Sequence, residues 1–201
     1  MKHMTLAPDP QDNVLDLEEA RHVAAHGVAH LHVGQRFGSL GAHAAGWWEV
    51  IDPIGGADQI INARIALAGP CMDLAVDLIE EDAYDAGVGP WLESWRDDVV
   101  NKSHGYRHDM VSAAGGVTEV ASWSLAFCRV NFDLIDEMAM MLVQTKIPVD
   151  YASLAARFGG RTADVDDEAL QAAELDFAGL TCALERVDEA VAEFLAAEGT
   201  K

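Results

Sequence analysis

Basic residues are scarce in this sequence. It contains 13 Lys and Arg against 34 Asp and Glu, which gives a formal net charge of -21 at pH 7. Nucleic acids and anionic membrane surfaces are bound through clustered Lys and Arg, so the composition excludes both as partners. We interpret the acidic excess as an adaptation for solubility and high salt. An acidic face for a cationic partner is the less favoured alternative.

Cysteines and long apolar runs are also scarce. Cys71, Cys128 and Cys182 are far apart, odd in number and form no metal-type pair. This usage fits a reducing cytosol and gives no disulfide framework. No apolar run reaches the length that spans a bilayer, and no signal peptide is found. The sequence therefore predicts a cytoplasmic protein.

Hydrophobic residues make up half of the 201-residue chain, which is enough for one globular domain. Residues 1–15 are rich in Pro and Asp and are predicted to be a flexible N-terminus. Residues 16–160 are expected to form the main domain. Residues 161–201 are predicted to be a C-terminal helical extension packed on the same domain, because apolar residues recur there at intervals of three and four.

The hydrophobic pattern predicts a mainly α fold with some β structure (α+β). Helices are expected over 16–33 and over 57–81, the second interrupted near its glycine and proline at 69–70. Glycines punctuate 35–52, and residues 47–51 are typical of a strand. We therefore expect a small sheet of two or three strands near 35–52.

Five of the eight histidines fall between positions 22 and 43. His22, His26 and His30 follow one another at intervals of four, which places them on one helical face. Two imidazoles on successive turns can share one metal ion, and zinc proteases carry His-Glu-x-x-His on a helix for this reason. Spacing alone leaves two interpretations open: a metal site, or a polar helix face without metal.

Four stretches of the sequence follow one another in a familiar order. They are Val-Ala-Ala-His-Gly-Val-Ala-His-Leu at 23–31, Gly-Trp-Trp at 46–48, Ala-Leu-Ala-Gly-Pro-Cys-Met-Asp at 66–73 and Gly-Tyr-Arg-His-Asp at 105–109. In that order they resemble Val-Ala-x-His-Glu-Ala-Gly-His-Ala, Leu-Gly-Tyr, Leu-Gly-Gly-Arg-Ala-Ala-Glu-Glu and Gly-Ala-x-Asn-Asp of the FtsH-family zinc-protease domain. The resemblance implies an FtsH protease-like, helical zinc-metalloprotease domain over 16–160, without the family's ATPase domain and membrane anchor.

The resemblance also implies a set of metal ligands. His26, His30 and Asp109 would hold zinc, with a fourth position left for water or substrate. Other divalent ions suit the same ligand types. Asp73 falls near the family's acidic pair and would accept the outer N–H of a ligand histidine. His22 competes through a His22–His26 pair, which the family register disfavours.

The family's catalytic glutamate is missing, because Gly27 stands in its place. General acid–base help of this kind is worth about a hundred- to ten-thousand-fold in rate, so we expect weak or absent peptidase activity and assign no catalytic residue. Gly27 has two explanations: drift in a protein that no longer cleaves peptides, or space opened over the metal for a ligand. Glu49, His22 and His108 are the candidates for a substitute base.

Two alternative functions stay open at this point. One is an active, ATP-independent metallopeptidase that uses a substitute base. The other is a non-enzymatic interaction or scaffold protein. A peptide or protein ligand fits all three hypotheses. The family's hexameric rings also suggest a homo-oligomer, for which the sequence offers no test.

Overall fold

A computed structural model describes residues 16–43, 46–49, 58–79, 87–103, 105–114, 116–145 and 147–199, and for 42–43 and 46–49 the description covers the backbone. The predicted flexible segment 1–15 lies outside the described residues. The part described is mainly helical with one small sheet, which confirms the predicted fold class. Its helices are α1 (Leu17–Val33), α2 (Gln59–Ile79), α3 (Gly89–Val100), α4 (Arg107–Ala113), α5 (Val117–Val130), α6 (Phe132–Thr145), α7 (Tyr151–Phe158), α8 (Asp167–Asp176) and α9 (Thr181–Glu198).

The helix α1 runs through the middle of the fold and has clear start and stop signals. The Asp16 carboxylate caps its N-terminus by accepting a hydrogen bond from the Glu19 N–H at 2.8 Å. Gly34 ends it in the left-handed conformation, with φ of 72°. The predicted helix over 16–33 is therefore confirmed. Small buried residues such as Ala24 and Ala29 allow α2 and α6 to pack closely against it.

The helix α2 packs against α1, α4 and α5. It continues through Gly69 and Pro70 as one element, so the predicted interruption is not a break. Pro70 has no N–H to donate to the carbonyl group one turn earlier, and Gly69 has no side chain to pack. Both residues are buried, which places this irregular turn of α2 inside the protein.

The sheet contains β1 (Ser39–His43), β2 (Gly46–Glu49) and β3 (Val149–Asp150), in the order β2-β1-β3 and antiparallel throughout. In β1, Leu40 lies opposite Trp48 of β2 and Val149 of β3. Two strands thus fall within the predicted region near 35–52. The third comes from a distant part of the chain, which local sequence patterns do not reveal.

The last two helices, α8 and α9, pack on α3, α4 and α5. Leu184, Val187 and Val191 are the buried stripe of α9. Asp188 on the same helix accepts hydrogen bonds from the backbone N–H groups of Val117 and Thr118, at 2.9 and 3.0 Å, and so caps α5. Among the described residues, none of the helices combines the length and the apolar character that crossing a membrane requires.

Candidate metal centre

Three side chains from two helices meet inside the fold. They are His22 and His26, one turn apart on α1, and Asp109 in the first turn of α4. Their ligand atoms all lie within 4.8 Å of one another, so the group could hold a metal ion. The two Nε2 atoms are 3.2 Å apart, and the Asp109 oxygens lie 3.4 Å from His22 Nε2 and 3.5 Å from His26 Nε2.

The outer nitrogen of each histidine is engaged elsewhere. His22 Nδ1 lies 2.7 Å from Asp73 Oδ2, and His26 Nδ1 lies 2.8 Å from the Ile65 carbonyl oxygen, both on α2. Neither oxygen can donate, so each Nδ1 carries the proton and donates it. The Nε2 atoms are therefore the ones directed at each other and at Asp109. Contacts of this type fix the tautomer and ring orientation of metal-ligating histidines.

The connection from α3 to α4 brings Asp109 to α1. The Asp98 carboxylate accepts a hydrogen bond from the Tyr106 N–H at 2.8 Å and another from the Ser103 hydroxyl. Gly105 permits this closure, because a Cβ there would lie 2.1 Å from Asp98 Oδ2. Asp98 therefore anchors the start of α4 and fixes the position from which Asp109 extends.

Proton positions in the group follow from burial and charge. Burial disfavours a charged His22, but the charge of Asp73 and hydrogen bonds to Asp109 and Asp73 outweigh it and raise the pKa of His22 to about 10. Burial lowers the pKa of His26 to about 4. For Asp109, burial favours protonation, yet the hydrogen bond from His22 and the neighbouring histidine charges lower its pKa. The metal-free group thus contains one cationic imidazole, one neutral imidazole and one carboxylate.

The backbone of α2 faces the two Nε2 atoms at Gly69. A Cβ built on Gly69 would lie 2.4 Å from the Nε2 atoms of both His22 and His26. Such contacts are far inside van der Waals distance. The space beside the two nitrogens is therefore open because this residue lacks a side chain.

The structure brings together only part of the predicted ligand set. His26 and Asp109 are in the group, and its other histidine is His22 rather than His30. His30 is buried one turn further along α1, where its ring lies 5.1 Å from that of Phe37. Burial lowers the pKa of His30 to about 4. Asp73 has the predicted kind of contact with a histidine of the group, and that histidine is His22.

Gly27 does not lie at the ion group. A Cβ there would lie 2.2 Å from Leu40 Cδ1 and 3.1 Å from Met138 Sδ, so Gly27 permits close packing of α1 against β1 and α6. The explanation that Gly27 opens space over the metal is thus not supported by its position. With His22 as the first histidine, the residue that follows it is Val23, which is buried. The position after the first histidine of the group therefore still lacks a carboxylate.

The three candidate substitute bases have different positions. His22 is a member of the group itself. His108 is exposed and lines a surface groove with Lys102, Arg107 and Phe194. Glu49 ends β2, and its side chain lies outside the described part of the chain.

Comparison with models of known protein families, with curated proteins and with solved structures finds no match to this chain. What the fold and the group define together is a helical domain with a buried pair of histidines and a carboxylate that could hold a metal ion. The chemistry of the group follows from its own geometry.

Proposed function

We propose that this protein binds zinc through His22, His26 and Asp109 and is an FtsH-type protease domain with weak or lost peptidase activity. The observation that carries the proposal is the pair of Nε2 atoms 3.2 Å apart, with both Nδ1 atoms engaged by acceptors on α2. Two nitrogen lone pairs held face to face repel each other unless a proton or a cation lies between them. A cation satisfies both nitrogens and the carboxylate at once.

The spacing of the two histidine nitrogens supports a tetrahedral ion. Zinc binds nitrogen and oxygen at about 2.0–2.1 Å, which puts neighbouring ligands of a tetrahedron about 3.3–3.4 Å apart. An octahedral ion at the same bond length, such as Mg²⁺, needs neighbouring ligands about 2.9 Å apart. The two Nε2 atoms are 3.2 Å apart, and each has a different Asp109 oxygen near it, Oδ2 at 3.4 Å from His22 and Oδ1 at 3.5 Å from His26. The separation of the two nitrogens is closer to the zinc value than to the Mg²⁺ value.

The proposed relation to the FtsH family requires a shift of one turn in the histidine motif. His-Val-Ala-Ala-His at 22–26 would correspond to the family's His-Glu-x-x-His, while Asp109 keeps the role of third ligand. Asp73 keeps the outer contact with a ligand histidine, now His22. The support for this register is that all four side chains meet in one place.

The chemistry expected of the centre is limited by its missing base. Bound zinc would polarise a carbonyl group and lower the pKa of a bound water to about 7. His22, His26 and Asp109 would hold the ion, and Asp73 would keep His22 in the ligating tautomer. Val23 cannot accept or deliver a proton, so the roughly hundred- to ten-thousand-fold contribution of a general base is absent. This is why we propose weak or lost cleavage.

Metal analysis with a matched pair of variants tests the proposal. The protein purified without chelator should contain about one zinc per chain, since a deprotonated His₂Asp group is a zinc ligand set. His26→Gln should lose the metal, whereas His30→Gln, the same change one turn further along α1, should retain it. Loss of metal in His30→Gln with retention in His22→Gln would contradict the proposed ligands and restore the His26–His30 pair.

A peptidase assay then separates the alternative functions. The proposal predicts little or no cleavage of casein by the zinc-loaded protein. Cleavage that a chelator stops would favour the active peptidase with a substitute base. A metal-free protein whose stability does not change on chelation would favour the interaction or scaffold protein.

A further inference from the structure

Gly69 stands at a point of α2 where a side chain would enter the ion group. A Cβ at this residue would lie 2.4 Å from His22 Nε2, 2.4 Å from His26 Nε2 and 2.7 Å from His22 Cδ2. Zinc lies about 2.0–2.1 Å from each nitrogen that binds it. A methyl group at Gly69 and an ion shared by the two histidines would therefore both have to lie within about 2.4 Å of the same two nitrogens.

His22 and His26 cannot accommodate both a methyl group at Gly69 and a shared ion. His26 is fully buried, and its Nδ1 is held at 2.8 Å from the Ile65 carbonyl oxygen of the same helix α2. His22 is tied by Nδ1 to Asp73 at 2.7 Å, again on α2. Both rings are thus fixed relative to the helix that contains Gly69. A methyl group there and an ion between the Nε2 atoms exclude each other.

We propose that Gly69 determines the specificity of the metal site, because it keeps the ion's place open and seats the ion directly against the α2 backbone. This inference rests on the proposed function, namely that the group binds a metal. The backbone at Gly69 leaves no room for a further ligand on the α2 side. Three protein ligands and one small ligand then complete the sphere, which suits ions that accept four ligands.

Helix stability gives no reason for a glycine at this position, since glycine is among the least favourable residues inside a helix. A second explanation must be separated, however. Gly69 precedes Pro70, and a residue before proline is disfavoured in the helical conformation unless it is small. Gly89 provides the matched control: it is also helical, it precedes Pro90, and a Cβ there would have no atom within 4 Å.

The experiment compares wild type, Gly69→Ala and Gly89→Ala in titrations with Zn²⁺ and Co²⁺. We expect wild type and Gly89→Ala to bind one ion with equal affinity. Gly69→Ala should lose at least about 100-fold in affinity, the upper range for altered outer contacts, because it blocks the ion itself. Its metal-free form should melt at a lower temperature than the wild type, because the methyl group displaces the two rings, while its far-UV circular dichroism below that transition should match that of the wild type. Wild-type affinity in Gly69→Ala would overturn the inference.

The Co²⁺ absorption spectrum of the wild type provides a test that does not depend on the folding of a variant. A four-coordinate spectrum supports the ion's place against α2, and a six-coordinate spectrum overturns it. The two proposals fail in different ways. If wild type binds neither ion, the proposed function is wrong. If wild type binds and Gly69→Ala binds equally well, only the role of Gly69 is wrong.

Discussion

Zinc binding should release one proton per ion from the histidine pair at neutral pH. In the metal-free protein this proton lies on His22: burial disfavours the charge, but Asp73 and Asp109 flank the ring and raise its pKa to about 10. His26 is already neutral, with a pKa lowered by burial to about 4. The ion takes the Nε2 lone pair of His22, so the proton on that atom must leave.

The magnitude follows from the two pKa values. Between about pH 5 and pH 9 the histidine pair should release close to one proton, and above about pH 7 the zinc-bound water should add a second. Two exposed histidines with ordinary pKa values near 6.5 would release almost none by about pH 8, which would leave only the proton of the bound water. Titration calorimetry at pH 8 in two buffers of different ionisation enthalpy measures this number directly.

Asp73→Asn provides the sharpest variant for this measurement. It removes the charge beside His22 Nδ1, so the pKa of His22 should fall and the proton release at pH 8 should drop below that of the wild type. Asp136→Asn is the control. This carboxylate of α6 pairs at 2.8 Å with Arg21, which lies on α1 beside His22 in the sequence but outside the ion group. A wild-type release at pH 8 no larger than the single proton of the bound water would refute the reasoning, as would equal effects of the two variants.

Three further predictions concern stability. In chelator-treated protein, acidification from about pH 6.5 to about pH 4 should lower the free energy of unfolding by up to about 1.4 kcal/mol per pH unit for each histidine buried in its neutral form, because only the unfolded chain takes up the proton. Denaturant titrations of His30→Gln over this pH range should show a free energy of unfolding that falls with pH about half as steeply as in the wild type. An unchanged pH dependence would contradict this. Gly27→Ala should lower the melting temperature yet retain zinc, because overpacking against Leu40, about 1–3 kcal/mol, exceeds the roughly 1 kcal/mol gained in helix propensity; loss of zinc would place Gly27 at the ion after all. Asp188→Ala removes the cap of α5 and should cost about 0.5–2 kcal/mol in denaturant titrations, whereas Asp188→Asn should cost less.

The sequence predicted those parts of the fold whose causes are local. The start and end of α1 follow from Asp16 and Gly34, one a side-chain cap and the other a left-handed stop. The partner strand β3 was not predicted, because a two-residue strand at Val149–Asp150 has no pattern of its own. The continuation of α2 through Pro70 was also missed, since burial between α1 and α5 outweighs the local cost of proline.

The metal group shows the same division between local and long-range information. Spacing identified one helical face with three histidines, and both neighbouring pairs fit it equally well. The family register then favoured His26 with His30, and the structure instead places His22 and His26 with Asp109. Gly69 and the Ile65 carbonyl have no sequence signature as parts of a metal site. Their role appears only when α1 and α2 are packed together.

The antiparallel packing of α1 and α2 explains why His22 and His26, rather than His26 and His30, belong to the ion group. His22 contacts Asp73, and His26 contacts Ile65, so moving one turn forward on α1 corresponds to about two turns back on α2. His30 lies one turn further along α1, where its ring lies 5.1 Å from that of Phe37, and it does not belong to the ligand group found among the described residues. The three equally spaced histidines of α1 therefore have different surroundings in the folded chain. Asp73 lies against His22, and Asp109 lies against His22 and His26; this placement of the carboxylates, rather than the histidine spacing, determines where an ion could bind.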